Sequence, residues 1–529
     1  MEPVALGTIV DCIGAEWVGQ KIPDRTLVAE VSTDTRHLSG RPLFVALTGD
    51  NFDGHKFVGQ AAQRGAVASV VARSAVANLP EDSGPLLVVD DPLVSMERLA
   101  RWNRDRLDVK VVSVTGSVGK TSTKEFLGTI LSERYRVTTA PKCFNNRIGV
   151  ATTLLSAGPS TEVLVTELGT SGPGEISHLS KLVRPDRVIL TEIAPSHLAG
   201  LGDLAGVLAA KSEIFDGLSA GGHAYLRQRM FGFDSLKERA PGPVKTFGWS
   251  SAADYCVTDC ERVWLGDPRS VSGSKAYGYH FTVNGCENFL LPVPGRHNVL
   301  NAAAAIGVAR DLGLSWQDIR SALAICRLPP LRLQVVEVKG VLFMNDCYNA
   351  SPRSMEVAID EWAAIGQEVA AKASKRAVTA SPSDETSPRG GLVAVLGDML
   401  ELGDHSQRLH EQLGRRLAKC PLRLLVTVGR DSSWVQDAYR SLGGEGESEH
   451  FTTVEDAIPF LRANVRSGDQ MLVKGSRQTG LERVFNDLHR WVKLFGAKSQ
   501  KDAALQAEER MSMFLPETKL GVTGERQVR

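Results

Sequence analysis

Short apolar runs alternate with helical periodicity along most of the chain, and the pattern changes character at two places. Residues 43–47, 67–71 and 86–89 read as strands, and a helix-like stretch lies near residues 96–104. This predicts a small α/β domain over residues 1–106. A second block, residues 107–328, opens with a buried-strand run at 110–114, then a glycine turn and a helix. Residues 162–168 and 187–193 are two more strands of the same type. Between Tyr225 and Pro294 the runs crowd together and turn residues increase, which predicts an antiparallel insertion. A helix over 298–312 closes the block. Pro329-Pro330 marks a linker. Beyond it, strand-like runs at 341–345, 392–396, 424–428 and 471–473 alternate with helices, which predicts a third, Rossmann-like domain over 329–496 with a mostly parallel sheet. Residues 370–390 are rich in Ala, Ser, Lys and Pro and read as a flexible surface insert. Residues 497–529 are charged and weakly periodic and read as a disordered tail. No internal repeat emerges. The fold class is therefore α/β, in three domains.

Composition narrows the partners. At 529 residues the chain has room for about three domains of ~100–200 residues. Lys plus Arg equals Asp plus Glu at 61 each, which removes the electrostatic case for nucleic acid or an anionic membrane as main partner. The 8 cysteines are scattered, and Cys256 and Cys260 lack a second pair at zinc-ribbon spacing, so reduced thiols are expected. The N-terminus carries Glu2 where a signal peptide would be basic. No apolar run approaches the ~20 residues that a membrane helix needs. A cytoplasmic protein without membrane insertion is the expectation.

The sharpest local signal is a phosphate loop. The strand Val111-Val112-Ser113-Val114 leads into Thr115-Gly116-Ser117-Val118-Gly119-Lys120-Thr121-Ser122. Glycines let backbone N–H groups close around phosphate oxygens, and the following helix N-terminus adds positive potential. Lys120 neutralises charge, and Thr121 is placed to ligate Mg²⁺. Val114 stands where the full motif has its first glycine. The plainer alternative is a strand-to-helix turn with an incidental lysine.

This shortened loop resembles that of the Mur ligases and of their relative folylpolyglutamate synthase. Further segments match the family in order. They are residues 142–149 (KCFNNRIG), Glu167-Leu168-Gly169 with Gly174-Glu175-Ile176, Ser196-His197-Leu198, Lys211-Ser212-Glu213-Ile214, and Pro294 through Asn301. Asp346-Cys347-Tyr348-Asn349-Ala350, Gly397-Asp398-Met399 with Glu401-Leu402-Gly403, and Lys474-Gly475-Ser476-Arg477 follow. Near the start, Asp34-Thr35-Arg36, residues 44–47 and Asp53-Gly54-His55 look like the family's UDP-binding domain. The resemblance spans nearly the whole chain except the insert and tail. The Asp-Met-x-Glu-Leu-Gly and Lys-Gly-Ser-Arg versions look like the branch that adds D-alanyl-D-alanine to UDP-N-acetylmuramoyl-tripeptide.

The resemblance implies an ATP- and Mg²⁺-dependent ligase in peptidoglycan synthesis that works as a monomer through an acyl phosphate. It assigns ATP contacts to Gly116, Ser117, Val118, Gly119, Lys120, Thr121, Ser122, Asn298, Asn301, Arg332 and Asp346. It assigns the UDP-linked substrate to Asp34, Thr35, Arg36, Asp53, His55, Asn145 and Asn146, and the dipeptide to Asn349, Lys474, Ser476 and Arg477. Catalytic duties fall to Lys120, Glu167, His197 and Lys211, and the implied metal ligands are Thr121, Glu167, His197 and a carbamylated Lys211. Each residue also has a plainer role. His197 could be a loop histidine, Glu167 a solvated carboxylate, Lys211 a surface lysine paired with Glu213 or Asp216, and Asn298 a helix cap. Asp346 and Tyr348 could be a strand end and a core aromatic, and Arg477 a solvated arginine. Two departures stand out. Thr191-Glu192-Ile193 replaces a segment that usually carries asparagine, and Asn345 stands where an acid often precedes Asp346. Alternatives are a sibling that adds another amino acid, a folate-type polyglutamate ligase, and a non-catalytic nucleotide-binding regulator.

Overall fold

The computed structural model describes residues 1–49, 52–266, 275–285, 287–377 and 390–495. Among the described residues three large sheets follow one another along the chain, with two small two-stranded ones in the first domain. The first has the strand order Glu16–Val18, Leu86–Val89, Ala68–Ala72, Leu43–Val45, Val31–Ser32, parallel except for the first strand. Its three central strands are apolar on both faces because both faces are covered. Leu43 and Val45 join the main core, whereas Phe44 packs on the other side with Val71 and Leu86.

Helix Pro92–Asp105 ties this sheet to the next. Asp91 caps it by accepting from Leu93 N and Val94 N, and Pro92 fills the first turn, where no amide partner is needed. Glu97, 6% exposed, projects from this helix. It accepts two hydrogen bonds from Arg147 at 2.8 and 2.6 Å and pairs with His178 Nε2 at 2.9 Å, both on the second domain.

The second sheet has nine strands. Lys110–Thr115 lies between Val163–Glu167 and Arg187–Leu190, all parallel, with Val137–Thr139 at one edge. The other side continues through His223–Arg227, Val244–Gly248 and Tyr255–Gly266, still parallel, and ends in the antiparallel Lys275–Val283 and Glu287–Leu291. The expected antiparallel insertion over 225–294 is thus corrected in its first part, up to residue 248, whereas the strands between Tyr255 and Leu291 do pair antiparallel. Close strand spacing and turn residues do not reveal which edge a strand joins, and here two of these strands, with the start of a third, extend the parallel sheet. The closing helix spans Arg296–Asp311 and is buried all round from Asn298 to Ala309; the small alanines 302–305 let it lie close against the sheet and the phosphate-loop helix.

The third sheet runs Gln334–Val338, Val341–Asn345, Gln470–Lys474, Leu392–Gly397, Leu422–Val428, Glu447–Phe451, parallel except for its first, edge strand. Helix Pro352–Ala377 packs against it and carries regular structure through residues 370–377, which corrects the first part of the predicted flexible insert. Residues 378–389 and the 497–529 tail lie outside the described residues. Among the described residues no helix is long and apolar enough to cross a membrane, and the cysteines are free.

Candidate active site at the phosphate loop

Strand Lys110–Thr115 ends in the phosphate loop, and helix Lys120–Leu131 begins immediately after it. Two glycines make the turn possible. Gly116 has φ +143° and Gly119 has φ +93°. A Cβ at Gly116 would overlap Thr191 Oγ1, and one at Gly119 would sit 2.5 Å from Asn301 Oδ1. The loop is therefore clamped between a neighbouring strand end and helix Arg296–Asp311. Thr191 Oγ1 donates to Val118 O at 2.5 Å, Ser117 N to Glu192 O at 2.8 Å, and Ser117 Oγ to Ala194 O at 2.6 Å. Lys120 Nζ donates to Gly116 O at 2.6 Å. Desolvation lowers its ammonium from the usual lysine value, with Glu167 opposing that shift.

The loop opens on a cavity of about 500 Å³. Residues 117–122 form one wall, with Asn145, Asn146, Glu167, His197 and Asn298. The third domain supplies the opposite wall through Arg332, Asp346, Asn349, Lys474, Ser476 and Arg477. Gly116, Asn301 and Lys211 do not line the cavity, and neither do Asp34, Thr35, Arg36, Asp53 and His55. Cys143, Glu175, His297, Tyr348 and Glu401 also line it and were not singled out as site residues from the sequence.

At the cavity floor Thr121 Oγ1 donates to Glu167 Oε2 at 2.9 Å, and Asn145 Nδ2 donates to Glu167 Oε1 at 3.0 Å. Arg332 crosses from the third domain. Its Nη2 donates to Thr121 Oγ1 at 3.0 Å and to Cys143 Sγ at 3.3 Å, and its guanidinium lies 4.1 Å from the Tyr348 ring centroid. Leu331 and Leu333, on either side of it, both have positive φ, +65° and +43°. Bulky residues rarely adopt that region, so the linker after Pro329-Pro330 is held in a strained path that delivers Arg332 to the phosphate loop.

Helix Leu204–Ser212 carries Lys211 inward. Its side chain is fully buried, and Nζ has no hydrogen-bond partner among the described residues. Burial pushes the amine well below the usual lysine range; Lys120 adds to that, and Glu175, Glu167 and Glu213 oppose it. The plainer reading of a solvated surface lysine is excluded by this burial. Among the described residues no group of three or more His, Cys, Asp or Glu is arranged to hold a metal ion. A cation at Glu167 and His197 would therefore need other oxygen ligands.

Asn298 lies inside helix Arg296–Asp311, which Gly295 precedes, so the helix-cap alternative is corrected. It is buried, donates to Pro294 O at 2.7 Å and accepts from Asn301 Nδ2 at 3.0 Å. Asp346 accepts from Leu333 N at 3.0 Å and pairs with Lys474 Nζ at 2.6 Å, and Lys474 also donates to Asn349 O at 2.9 Å. Ser476 Oγ accepts from Leu400 N at 3.0 Å. Arg477 is half-exposed, with a 3.3 Å ion pair to Glu482. Glu192 pairs with Arg227 at 2.5 Å and with Arg353 of the third domain at 3.3 Å.

In the first domain, Asp34 accepts from Arg36 through both backbone and side chain, which holds its carboxyl down to about 2. Thr35 Oγ1 donates to Gln60 Oε1 at 2.5 Å. His55 is buried. Its Nδ1 pairs with Asp53 at 2.7 Å and its Nε2 accepts from Ala72 N at 3.0 Å, so both ring nitrogens have protein partners. Asp34, Thr35 and Arg36 follow the carboxyl end of the parallel strand Val31–Ser32, where α/β domains form binding crevices, whereas Asp53 and His55 lie at the end of a short antiparallel hairpin, Thr48–Gly49 with Phe52–Asp53.

Sequence and structure comparisons agree on the family. The Mur ligase family catalytic domain matches residues 27–104, the Mur ligase middle domain residues 114–309, and the Mur ligase glutamate ligase domain residues 369–477. The chain is 34% identical over 468 residues to the UDP-N-acetylmuramoyl-tripeptide–D-alanyl-D-alanine ligase of Bacillus subtilis (strain 168), covering 88% of this chain and 94% of that one. MurF from Acinetobacter baumannii superposes with a TM-score of 0.76 at 30% identity, covering 93% of this chain and 99% of that one. MurF ligase from Thermotoga maritima in complex with ADP gives 0.68 at 26% identity, covering 88% and 98%.

Proposed function

The chain belongs to the Mur ligase family, and we infer on that premise that it is the ATP-dependent ligase that joins D-alanyl-D-alanine to UDP-N-acetylmuramoyl-tripeptide. The structural observation that carries this reading is the shared cavity. A phosphate loop from the second domain faces a cationic, carboxylate-accepting wall from the third. A polyphosphate and an amine acceptor fit across that gap.

The tripeptide carboxylate attacks the γ-phosphate and forms an acyl phosphate with release of ADP. The dipeptide amine then adds to the acyl carbon, and phosphate leaves from the tetrahedral intermediate. The first step brings two anions together, so cations must be in place beforehand. Lys120 and Arg332 supply two of them from opposite walls. Backbone N–H groups of residues 117–122 and the start of helix Lys120–Leu131 cradle the phosphates. Asn298 and Asn301 brace the loop on its adenine side. The proposal gives the ribose to Asp346, held by Lys474, and the dipeptide carboxylate to Arg477 with Asn349, Lys474 and Ser476.

Magnesium fits the site on the chemistry of its donors. Thr121 and Glu167 offer oxygens and His197 a ring nitrogen, while Lys211 Nζ is enclosed without a partner. As an ammonium, Lys211 would repel a cation. As a carbamate formed with CO₂, it would present anionic oxygen and gain the partner it lacks. Bound there, Mg²⁺ would neutralise phosphate charge. Asp34, Thr35, Arg36, Asp53 and His55, which lie outside the cavity, are the proposed contacts of the UDP group, and Asn145 and Asn146, which line it, those of the substrate arm that reaches in. The reading includes action as a monomer in the cytoplasm.

The test is incubation with ATP, Mg²⁺, D-alanyl-D-alanine and a panel of UDP-muramoyl peptides, with mass spectrometry of the products. A UDP-muramoyl pentapeptide is expected from the tripeptide alone. Extension of a shorter UDP-muramoyl peptide or of a folate by a single amino acid would contradict the assignment, and so would absence of any amine-dependent phosphate release.

A further inference from the structure

Two strained residues meet across the boundary between the second and third domains. His197, before helix Leu198–Leu201, has φ +52°, and Glu401, in the loop after strand Leu392–Gly397, has φ +63°. Neither is glycine, and glutamate has no local side-chain device that favours the left-handed region. Both side chains line the cavity, and His197 Nδ1 lies 2.5 Å from Glu401 Oε2. The backbone holds the same junction. Ala199 N donates to Glu401 O at 3.0 Å, and His405 Nε2 lies 3.1 Å from Gly202 O. Gly403, also at positive φ, packs with its Cα side toward Ala199, where a Cβ would come within 3.2 Å. Backbone strain on both sides of one contact persists only where surrounding structure enforces it, and such strain gathers at working sites.

We propose that Glu401 is a positioning residue that the third domain lends to His197, so that the histidine is fixed for its task only when that domain is docked. An ionised carboxylate only accepts hydrogen bonds. It therefore sets the tautomer with the proton on Nδ1 and leaves the lone pair of Nε2 as the free donor of the ring. A carboxylate on the far nitrogen also fixes the ring's orientation, as outer partners of metal-bound histidines do. Docking of the 401–405 loop and preparation of His197 become one event. The inference deepens the proposed function and rests on its reading of His197 as a magnesium ligand.

The experiment uses the full-length protein with a non-hydrolysable ATP analogue and Mn²⁺ as the paramagnetic probe, titrated by electron paramagnetic resonance. Nitrogen-15 NMR of the histidine rings reports the tautomer. Glu401→Ala should weaken Mn²⁺ binding by about 10- to 100-fold and abolish the preference for a proton on Nδ1 of His197. Glu401→Gln keeps the shape of the contact but can donate as well as accept, so it should keep the melting temperature while losing the preference for a proton on Nδ1, which a contact important only for folding would not predict. His197→Ala serves as the reference. If it weakens Mn²⁺ binding while Glu401→Ala does not, Glu401 is only a domain contact and the proposal is overturned. If His197→Ala itself leaves Mn²⁺ affinity unchanged, the metal reading of His197 falls, and the proposal falls with it.

Discussion

On one wall of the cavity, residues 117–122 come from a single stretch of chain, folded by two glycines and the start of one helix. On the other, Arg332, Asp346, Glu401 and Lys474 come from four separate segments of the third domain, and each meets a partner far away in sequence. The first wall is built by backbone geometry and is complete within its own domain. The second exists only through tertiary contacts, and all four of these side chains are engaged with protein partners. On the proposed function, backbone-coded binding holds the phosphates, and side chains from the docked domain finish the chemistry.

The largest effect should come from the first wall. Lys120→Ala removes the charge that offsets carboxylate–phosphate repulsion, and ligation should fall by about 10³-fold or more with the melting temperature nearly unchanged. Phosphate release and thermal melting measure the two. Near-normal turnover would remove the distinction between the walls at its strongest point.

Lys211 comes next, because it serves the phosphate wall from behind. Lys211→Ala should lose at least about 10²-fold in turnover while still binding ATP, which calorimetry can follow. Small carboxylates should restore part of the activity by occupying the vacant oxygen position. Lys211→Arg should show no rescue, since arginine stays cationic and forms no carbamate. Full activity in either variant would return Lys211 to a purely structural role.

The second wall should respond more gently. Arg332→Ala should raise KM for ATP and lower kcat together, about 10- to 100-fold in kcat/KM, because the third domain loses its direct contact with Thr121. Steady-state kinetics against ATP would show it. An effect as large as that of Lys120→Ala would mean that the two walls act as one unit.

Glu97 separates stability from chemistry. It is buried at the junction of the first two domains, away from the cavity. Glu97→Ala leaves Arg147 and His178 unpaired, but Arg147 is partly exposed, so a loss of about 1–2 kcal/mol is expected. Denaturant melts should report it while kcat stays within a few-fold. Deleting residues 500–529 should change least, since that stretch has too little apolar periodicity to build a core.

The same contrast explains what the sequence disclosed. The strand at 110–114 and the glycine loop were legible because strand, turn and helix signals are local. Glu401 appeared in the sequence only as part of a motif. Its meaning depends on His197, 204 residues away, and pair contacts at that separation leave no periodic trace. Asn298 looked like a cap because an alanine-rich run follows it, yet the helix starts earlier, at Arg296. Strand Glu447–Phe451 (ESEHF) went unread because it is an edge strand with few apolar residues. The parallel strands at His223–Arg227 and Val244–Gly248 were read as part of an antiparallel insertion because turn density carries no strand direction.

The most direct measurement of the central claim follows one oxygen atom. UDP-N-acetylmuramoyl-tripeptide labelled with ¹⁸O in its terminal carboxylate is ligated to D-alanyl-D-alanine, and the released phosphate is analysed by mass spectrometry. If the carboxylate attacks the γ-phosphate in the shared cavity, each amide formed delivers one labelled oxygen to inorganic phosphate. Unlabelled phosphate alongside pentapeptide product would contradict the acyl-phosphate route and the role assigned to both walls.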